Sequence, residues 1–587
     1  MMKETLADLV DSALQKMGIN ATDKIFIEYA RDRAHGDFAC NIAMLLAKKS
    51  GRKPRELAQD IISHIPTHSS LKQIQMAGSG FINFFIHPQA FRPLLHKILQ
   101  DKSHYGHSKI GEGRRIHIEF VSSNPTGPLH VGHGRGAAYG ATVSDVLSAI
   151  GCTVHREYYL NDAGRQMDIL TLSVWLRYLE ACGEKFTFPA NCYQGDYVTA
   201  IAQDIFQIKS KAYYHTAASV FETLLENMLE EIDEEAKQKN KDIQIDNLIS
   251  QAKKLLGEKI WREFSDYGLN VILKDIKEDL AEFGVHYQAW FSERDMWDRG
   301  LVERAIALLR DRGHLYEKDG AVWFQSTAFG DDKDRVVIRE NGQYTYFASD
   351  IAYHKWKFDH YNEVINVLGA DHHGYIPRLR AIIQALGYPV EKFHAPIVQF
   401  AVLYRGKERV AMSTRAGSFV TLRELREEVG KDAARFFYIM RKADQHMDFD
   451  LDLAKSQSNE NPVYYIQYAH ARICSVFRQL TEKSMHWEPE AGLHALEKLD
   501  SDQEKNLFLA LSRFTETIAQ AAMQYEPHLI AYYLRELCDH FHSYYNAFPF
   551  LVTDDTLRHA RLCLIASAKQ IIANGLHLLG VSAPESM

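Results

Sequence analysis

Two histidines three residues apart, His130 and His133, stand inside "SNPTGPLHVGHGRGAAYG" (residues 123–140), directly behind the apolar stretch Ile116 to Val121. A strand that runs through glycines into a helix presents unsatisfied backbone N–H groups and the positive end of the helix dipole, a combination suited to phosphate. Imidazole donors at that mouth would stabilise charge growing on a phosphoryl group, and Gly132 between them would let a ligand approach closely. A second glycine-flanked strand end follows in "VINVLGADHHG", with Gly369, Asp371 and His372. Competing chemistries are less well served. "GRGAAYG" misses the G-x-G-x-x-G register of a dinucleotide site, the Gly-Lys-Ser/Thr of a P-loop is absent, and no HExxH joins the histidines into a metal centre. A metal-dependent phosphoesterase, and histidines that merely satisfy a turn, stay open as alternatives at this level.

The elements that must position these residues can be read from periodicity. Ile116 to Val121 is a buried strand, Ala137 to Ile150 a helix stopped by Gly151, and Val154 to Leu160 the next strand. Strand, glycine-rich loop, helix, strand is the opening of a doubly wound parallel sheet. Residues 181 to 290 turn helical and charged and read as an insertion; the seven acids and no base between Glu222 and Glu235 suit a solvated helix face. Alternation returns in "VWFQSTAF" and "RVVIRENGQYTYFASD", with a hairpin turn at Asn341-Gly342, and "VINVLG" resumes the sheet. From about Lys431 onward the chain reads as almost wholly helical. Before the sheet, residues 1 to 105 form an α+β unit in which "HGDFACNIAMLLAKKSGRKPRELAQDIISHI" gives two helices and "GSGFINFFI" a strand.

Bulk properties set the frame. A chain of 587 residues exceeds one core and suggests roughly four units. No apolar run approaches the roughly 18 residues of a membrane span, and the acidic, amphipathic start lacks the form of a secretion signal, so a cytoplasmic protein is expected. Seven scattered cysteines without a CxxC suggest buried thiols rather than disulfides or thiolate zinc. The net charge of -8 argues against indiscriminate coating of nucleic acid, yet Arg405 to Lys442 holds ten Lys or Arg against five Asp or Glu, a net of +5 that could meet a polyanion.

The motifs taken together resemble a known family. "NPTGPLHVGHGRG" is similar to the HIGH signature of class I aminoacyl-tRNA synthetases, and with "IEFVSS" before it and "REYYLNDAGRQ" after it resembles the arginyl-tRNA synthetase family. "GDFACNIAMLLAKK", "GFINFFI", "YFASDIAYH", "GADHHGYIPRL", "NPVYYIQYAHARICS" and "GLHLLGVSAPESM" match in order along nearly the whole chain. The resemblance implies a Rossmann-type α/β catalytic domain with a helical insertion (106–180, 181–290 and 291–404), an N-terminal α+β additional domain (1–105), a signature-loop and stem-contact region (405–455) and an all-α anticodon-binding bundle (456–587). It implies a monomer that joins L-arginine to tRNA(Arg), with Mg2+-bound ATP as substrate and no resident cofactor or metal.

Roles follow by match to the family's positions. His130 and His133 would hold ATP phosphates, Gly132, Gly369 and Asp371 the nucleoside. Glu119, Tyr346 and Asp350 would take the guanidinium, Asn124 the α-amino group, and His372 the amino acid's polar head. A guanidinium taken out of water requires carboxylates in fork geometry, which an ammonium cannot satisfy. Phe81 and Asn83 match positions that read a base of the tRNA elbow. Tyr464, Tyr465 and Tyr468 open the helical region expected to read the anticodon, where an aromatic that stays exposed would stack a splayed base and those at helical spacing more often pack in the core. One departure stands out: where class I enzymes carry KMSKS, this chain has Ala411-Met412-Ser413-Thr414-Arg415, with Met412 and Ser413 expected near ATP but both lysines missing. Lys407, Arg409, Arg415, Arg114 and Arg115 are the candidate replacements.

Overall fold

The computed structural model describes residues 2–20, 24–30, 35–222, 234–410 and 420–587. At its centre lies a five-stranded parallel sheet in the order Phe393–His394, Glu363–Asn366, Arg115–Glu119, Thr153–Leu160, Ala289–Ser292. Numbered along the chain this is 5-4-1-2-3, a doubly wound sheet that reverses direction between its first and fourth strands. The crevice outside the carboxyl ends of those two strands is where such sheets bind ligands. Glu119 and Asn366, the last residues of the two strands, are register partners there.

The helix after the first strand starts earlier than its apolar spacing suggests. It runs Val131–Ala149, with His130 as N-cap, so His133 sits in its first turn rather than in the preceding loop. Its glycines explain the misreading, because they weaken the helical signal while serving close packing. A Cβ on Gly140 would lie 2.3 Å from the Phe120 ring, and one on Gly134 2.8 Å from Leu422 and Tyr438. Gly151, at φ +94°, ends the helix in a conformation that a side chain would disfavour.

The helical insertion opens at Arg165–Ala181, earlier than 181, and continues through Asp196–Lys209 to Glu234–Glu282, a long helix interrupted at Gly257. The acidic segment read as a solvated face falls largely on residues outside those described. A three-stranded antiparallel sheet (Leu315–Lys318, Ala321–Phe324, Arg335–Ile338) precedes the helix Tyr346–His360, and Asn341-Gly342 makes the turn before it. After the parallel sheet, Ala401–Arg405 pairs in parallel with Met447–Asp450.

The amino-terminal unit is an antiparallel sheet ordered Ile27–Tyr29, Phe38–Cys40, Phe81–Ile86, Leu71–Ala77. Three helices, Met2–Lys16, Ile42–Ser50 and Pro54–His64, join its core. The helix Arg92–Asp101 packs against Asp555–Leu578, the buried spine of the carboxyl-terminal bundle. Lys3–Glu516, Lys72–Asp500 and the stacked rings of Phe91 and Phe508 complete this seam between the two ends of the chain. All seven cysteines are buried free thiols. Among the described residues no helix is long and apolar enough to cross a membrane.

Candidate active site

The loop after the first strand turns through two left-handed residues, Val121 (φ +70°) and Ser122 (φ +43°), an unfavourable pairing for side chains with a Cβ. Cross-strand bonds hold it: Tyr159 N donates to Ser122 Oγ at 3.0 Å, Asn161 Nδ2 to Ser122 O at 3.2 Å, and Ser123 Oγ meets the Tyr158 hydroxyl at 2.7 Å. Beyond it, residues 129–131 are stitched to 420–422 by Val131 N to Val420 O (3.1 Å) and Leu422 N to Leu129 O (2.9 Å). The segment 411–419, carrying Met412, Ser413 and Arg415, lies outside the described residues; it is bracketed by Val410 and by the residues bonded to the histidine loop.

His130 and His133 stack with ring centroids 3.7 Å apart. Gly132 N donates to His130 Nδ1 at 3.1 Å and His130 N donates to His133 Nδ1 at 3.3 Å, a reciprocal cap of the helix. Both Nδ1 atoms therefore accept, and each neutral ring carries its proton on Nε2. Burial, and then the neighbouring His130, push His133 down to about 3, and burial also lowers His130. The pair offers neutral N–H donors at a helix N-terminus throughout the physiological range. A Cβ on Gly132 would lie 2.8 Å from the His130 ring, so the glycine is required for the cap as well as for ligand approach.

Beside this mouth the sheet ends in an acidic chamber. Four carboxylates, Glu293, Asp350, Glu119 and Asp162, act on the Tyr159 hydroxyl, which burial and these charges push far above its ordinary range. Asp162 is tied up by Ser292 Oγ (2.6 Å) and Arg294 N (2.9 Å). Asp350 accepts from the Tyr375 hydroxyl, and burial, reinforced by Glu119 and Glu293, raises its carboxyl to about 7. Glu293, at the start of its short helix, is raised too, chiefly by burial. Glu119 pairs with the buried ammonium of Lys357. Tyr346 stands at the rim, 60% exposed, with its hydroxyl over Gly164, where a Cβ would come within 2.6 Å.

The structure thus brings Glu119, Asp350 and Tyr346 to one crevice. Asn124 is exposed on the histidine loop, its carbonyl accepting from Thr126 N at 2.8 Å. Gly369 pairs briefly with Val398, and Asp371 and His372 follow in an exposed turn, 3.6 Å from each other. Sequence reasoning missed Glu293, Tyr159, Tyr375 and Lys357. For Lys357 the available signal was its spacing of about one turn each from His354 and Asp350, which puts the three polar residues on one helix face.

Two expectations fail. Arg114 and Arg115 lie at the amino end of the first strand, about 16 Å of strand away from its carboxyl end. Arg114 there holds Glu363 at 2.6 Å, and Arg115 reaches Asn362. Half of the basic run 405–442 is also spent internally: Arg405 on Glu428, Arg423 on Asp275, Arg426 on Asp279 and Glu282, Lys442 on Glu526, and Arg435 fully buried against the carbonyls of Phe283, Gly284 and Leu579. Lys407 and Arg409 remain exposed, beside the segment 411–419.

Of the expected RNA contacts, Phe81 is 39% exposed at the start of its strand, whereas Asn83 is 3% exposed, paired in the sheet beneath Gly36. In the carboxyl-terminal bundle the rings of Tyr464 and Tyr468 stack at 5.8 Å, both half-buried. Arg472 lies between Tyr468 and Tyr545, 4.5 and 4.6 Å from their rings, and Arg535 sits 4.6 Å over Tyr465. Interleaved tyrosine and arginine faces of this kind stack bases without reading sequence.

A doubly wound parallel sheet whose first strand leads into a histidine-capped, glycine-rich helix, followed by a helical bundle, defines a class I aminoacyl-tRNA synthetase. Residues 94–451 match the family model described as tRNA synthetases class I (R), catalytic domain. Residues 4–86 match the arginyl tRNA synthetase N terminal domain, and 466–587 the DALR anticodon binding domain. The chain is 54% identical to the arginine–tRNA ligase of Thioalkalivibrio sulfidiphilus, covering all of both chains. It is 52% identical to that of Coxiella burnetii, covering 100% of this chain and 99% of the relative. The solved arginyl-tRNA synthetase of Thermus thermophilus superposes with a TM-score of 0.72 at 23% identity over the full length of both chains, which shows a shared fold. The chain belongs to the arginyl-tRNA synthetase family.

Proposed function

We infer that this protein is an arginine–tRNA ligase. It activates L-arginine with Mg2+-bound ATP and transfers the arginyl group to the 3'-terminal adenosine of tRNA(Arg). The observation that carries the reading is the acidic chamber at the sheet's switch point, set beside a neutral, histidine-capped helix N-terminus. One end suits a guanidinium and the other suits phosphate.

In the first step an oxygen of the arginine carboxylate attacks the α-phosphorus of ATP. The new O–P bond forms as the α–β bridging bond breaks and pyrophosphate leaves. The nucleophile belongs to the substrate, so the protein supplies alignment and charge stabilisation. The Nε2–H groups of His130 and His133, at the positive end of the helix dipole, face the phosphates. Glu119 and Asp350 hold the guanidinium, with Tyr346 closing the rim and Asn124 and His372 at the polar head. Gly132, Gly369 and Asp371 border the nucleoside, with Met412 and Ser413 of the signature stretch completing that side. In the second step a ribose hydroxyl of the terminal adenosine attacks the arginyl carbonyl and AMP departs. Phe81 at the elbow and Tyr464 and Tyr468 at the anticodon hold the tRNA, and the enzyme works as a cytoplasmic monomer.

The test is ATP–pyrophosphate exchange with arginine, lysine and glutamine in turn, each with and without tRNA(Arg). Exchange is expected with arginine and tRNA(Arg) together. Absence of exchange from folded protein under every condition would overturn the assignment.

A further inference from the structure

Lys357 has no exposed surface at its side chain. An ammonium removed from water is retained only where it is paired and hydrogen-bonded, and its partners are the two residues that end the strands at the switch point. Its Nζ donates to Glu119 Oε2 and, at 2.8 Å, to Asn366 Oδ1. Because an ammonium can only donate, the Asn366 amide is oriented: Oδ1 faces Lys357 and Nδ2 faces away as a donor. That Nδ2 lies 2.9 Å from His354 Nε2, which must accept, so the His354 proton is on Nδ1. Nδ1–H in turn donates to the Asp350 carbonyl at 2.8 Å. Every donor and acceptor in this chain is fixed by its neighbour, and it joins Glu119 to the backbone of Asp350 across two strands and a helix. Lys357 also lies 3.9 Å over the Tyr353 ring, whose hydroxyl is held by Glu157 Oε1 at 2.7 Å.

We propose that Lys357 is a positioning residue for arginine recognition: it grips Glu119 by one carboxylate oxygen and, through Asn366 and His354, fixes the spacing of the two acids that take the guanidinium. This rests on Glu119 and Asp350 being the arginine carboxylates. The physical need is plain. Acids crowded at this seam repel, and a resident cation paired with one of them offsets that repulsion in the empty site. Without that grip the Glu119 carboxylate is free to turn, and the guanidinium meets a partner at the wrong distance. The titratable groups facing Glu119 are Lys357, Asp350 and Tyr353 from the helix, Tyr159 from the neighbouring strand, His117 from its own strand, and Tyr287. Of these, Lys357 is the cation paired with the Glu119 carboxylate.

The experiment uses the full-length enzyme with tRNA(Arg) and reads KM for arginine, KM for ATP and kcat in pyrophosphate exchange at neutral pH. Lys357→Met keeps the length of the stem and removes the charge. Its arginine KM is expected to rise about 30-fold at neutral pH, with ATP KM unchanged and kcat within about threefold. Lys357→Arg restores the cation and recovers most of the loss. Asn366→Ala, which cuts the link to Asp350 but leaves the Lys357–Glu119 pair, raises arginine KM less. Should Lys357→Met fail to fold, Asn366→Ala carries the test alone, and an unchanged arginine KM overturns the relay. Glu119→Gln separates the two readings. If it raises arginine KM while Lys357→Met does not, the positioning role is wrong. If Glu119→Gln itself leaves arginine KM unchanged, the site assignment falls and the proposal with it.

Discussion

Arginine binding should depend on pH through Asp350. Its carboxyl is raised to about 7 by burial first, with Glu119 and Glu293 adding to the rise and the Tyr375 hydroxyl and Lys357 opposing it. The guanidinium is charged at every relevant pH, so only ionised Asp350 forms the pair. The apparent dissociation constant is then the intrinsic one divided by the ionised fraction, which makes it about elevenfold weaker at pH 6, about twofold weaker at pH 7 and close to its limit at pH 8. The sign follows from the direction of the shift: a carboxyl held protonated by its surroundings loses that proton when a cation arrives. Binding therefore releases about 0.9 proton at pH 6 and about 0.1 at pH 8. Titration calorimetry of arginine in two buffers of different ionisation enthalpy reads both the affinity and the proton count. Glu293→Gln removes one repelling charge and should move the midpoint down, flattening the dependence. An affinity constant from pH 6 to 8, with heats independent of buffer, would refute the reasoning.

Four further outcomes can be checked. His133→Ala is expected to lower pyrophosphate exchange about 10²- to 10³-fold at every pH. His133 titrates only near 3, so a loss confined to acidic pH would contradict its role as a neutral donor. Arg135 is buried and donates to the carbonyls of Gln399, Gln445 and Lys442, so Arg135→Met should destabilise the protein by about 3–5 kcal/mol, read by denaturant unfolding. An unchanged midpoint would show that the orphaned carbonyls find other partners. Alanine at Lys407 and Arg409 together should slow exchange, whereas Arg114→Ala should leave its kcat alone and cost stability; the reverse pattern would put the pyrophosphate charge at the other end of the strand. Tyr468→Ala should raise KM for tRNA by about 10- to 100-fold, the worth of one stacked base, with KM for arginine unchanged.

The strand, histidine loop and second strand end were legible in sequence because burial on both faces of a parallel sheet imposes apolar runs, and ligand loops impose glycine and polar residues between them. The start of the signature helix was not legible, because Gly132, Gly134 and Gly136 argue locally against a helix that tertiary packing and the histidine cap create. The basic run misled for a different reason. Composition counts charges but not their partners, and the acids that neutralise Arg423 and Arg426 lie some 150 residues earlier, on the insertion helix. Only the fold makes those pairs adjacent, and it leaves Lys407 and Arg409 as the cations next to the segment that replaces KMSKS.

The same separation in sequence hides the logic of the acidic chamber. Glu119 reads as an isolated acid at a strand end, and Asp350 as a helix residue that could cap or face water. The sheet order 5-4-1-2-3 places the first strand beside the fourth, and that adjacency sets Glu119 opposite Asn366. The helix between the third and fourth strands must then cross over this seam, which aims Asp350, His354 and Lys357, one turn apart each, at the same two strand ends. A carboxylate pair made from distant segments can be held rigid only if something bonds both segments, and the Lys357–Asn366–His354 chain does so. On the proposed reading, specificity for a planar, forked cation rests on a buried cation paired with Glu119.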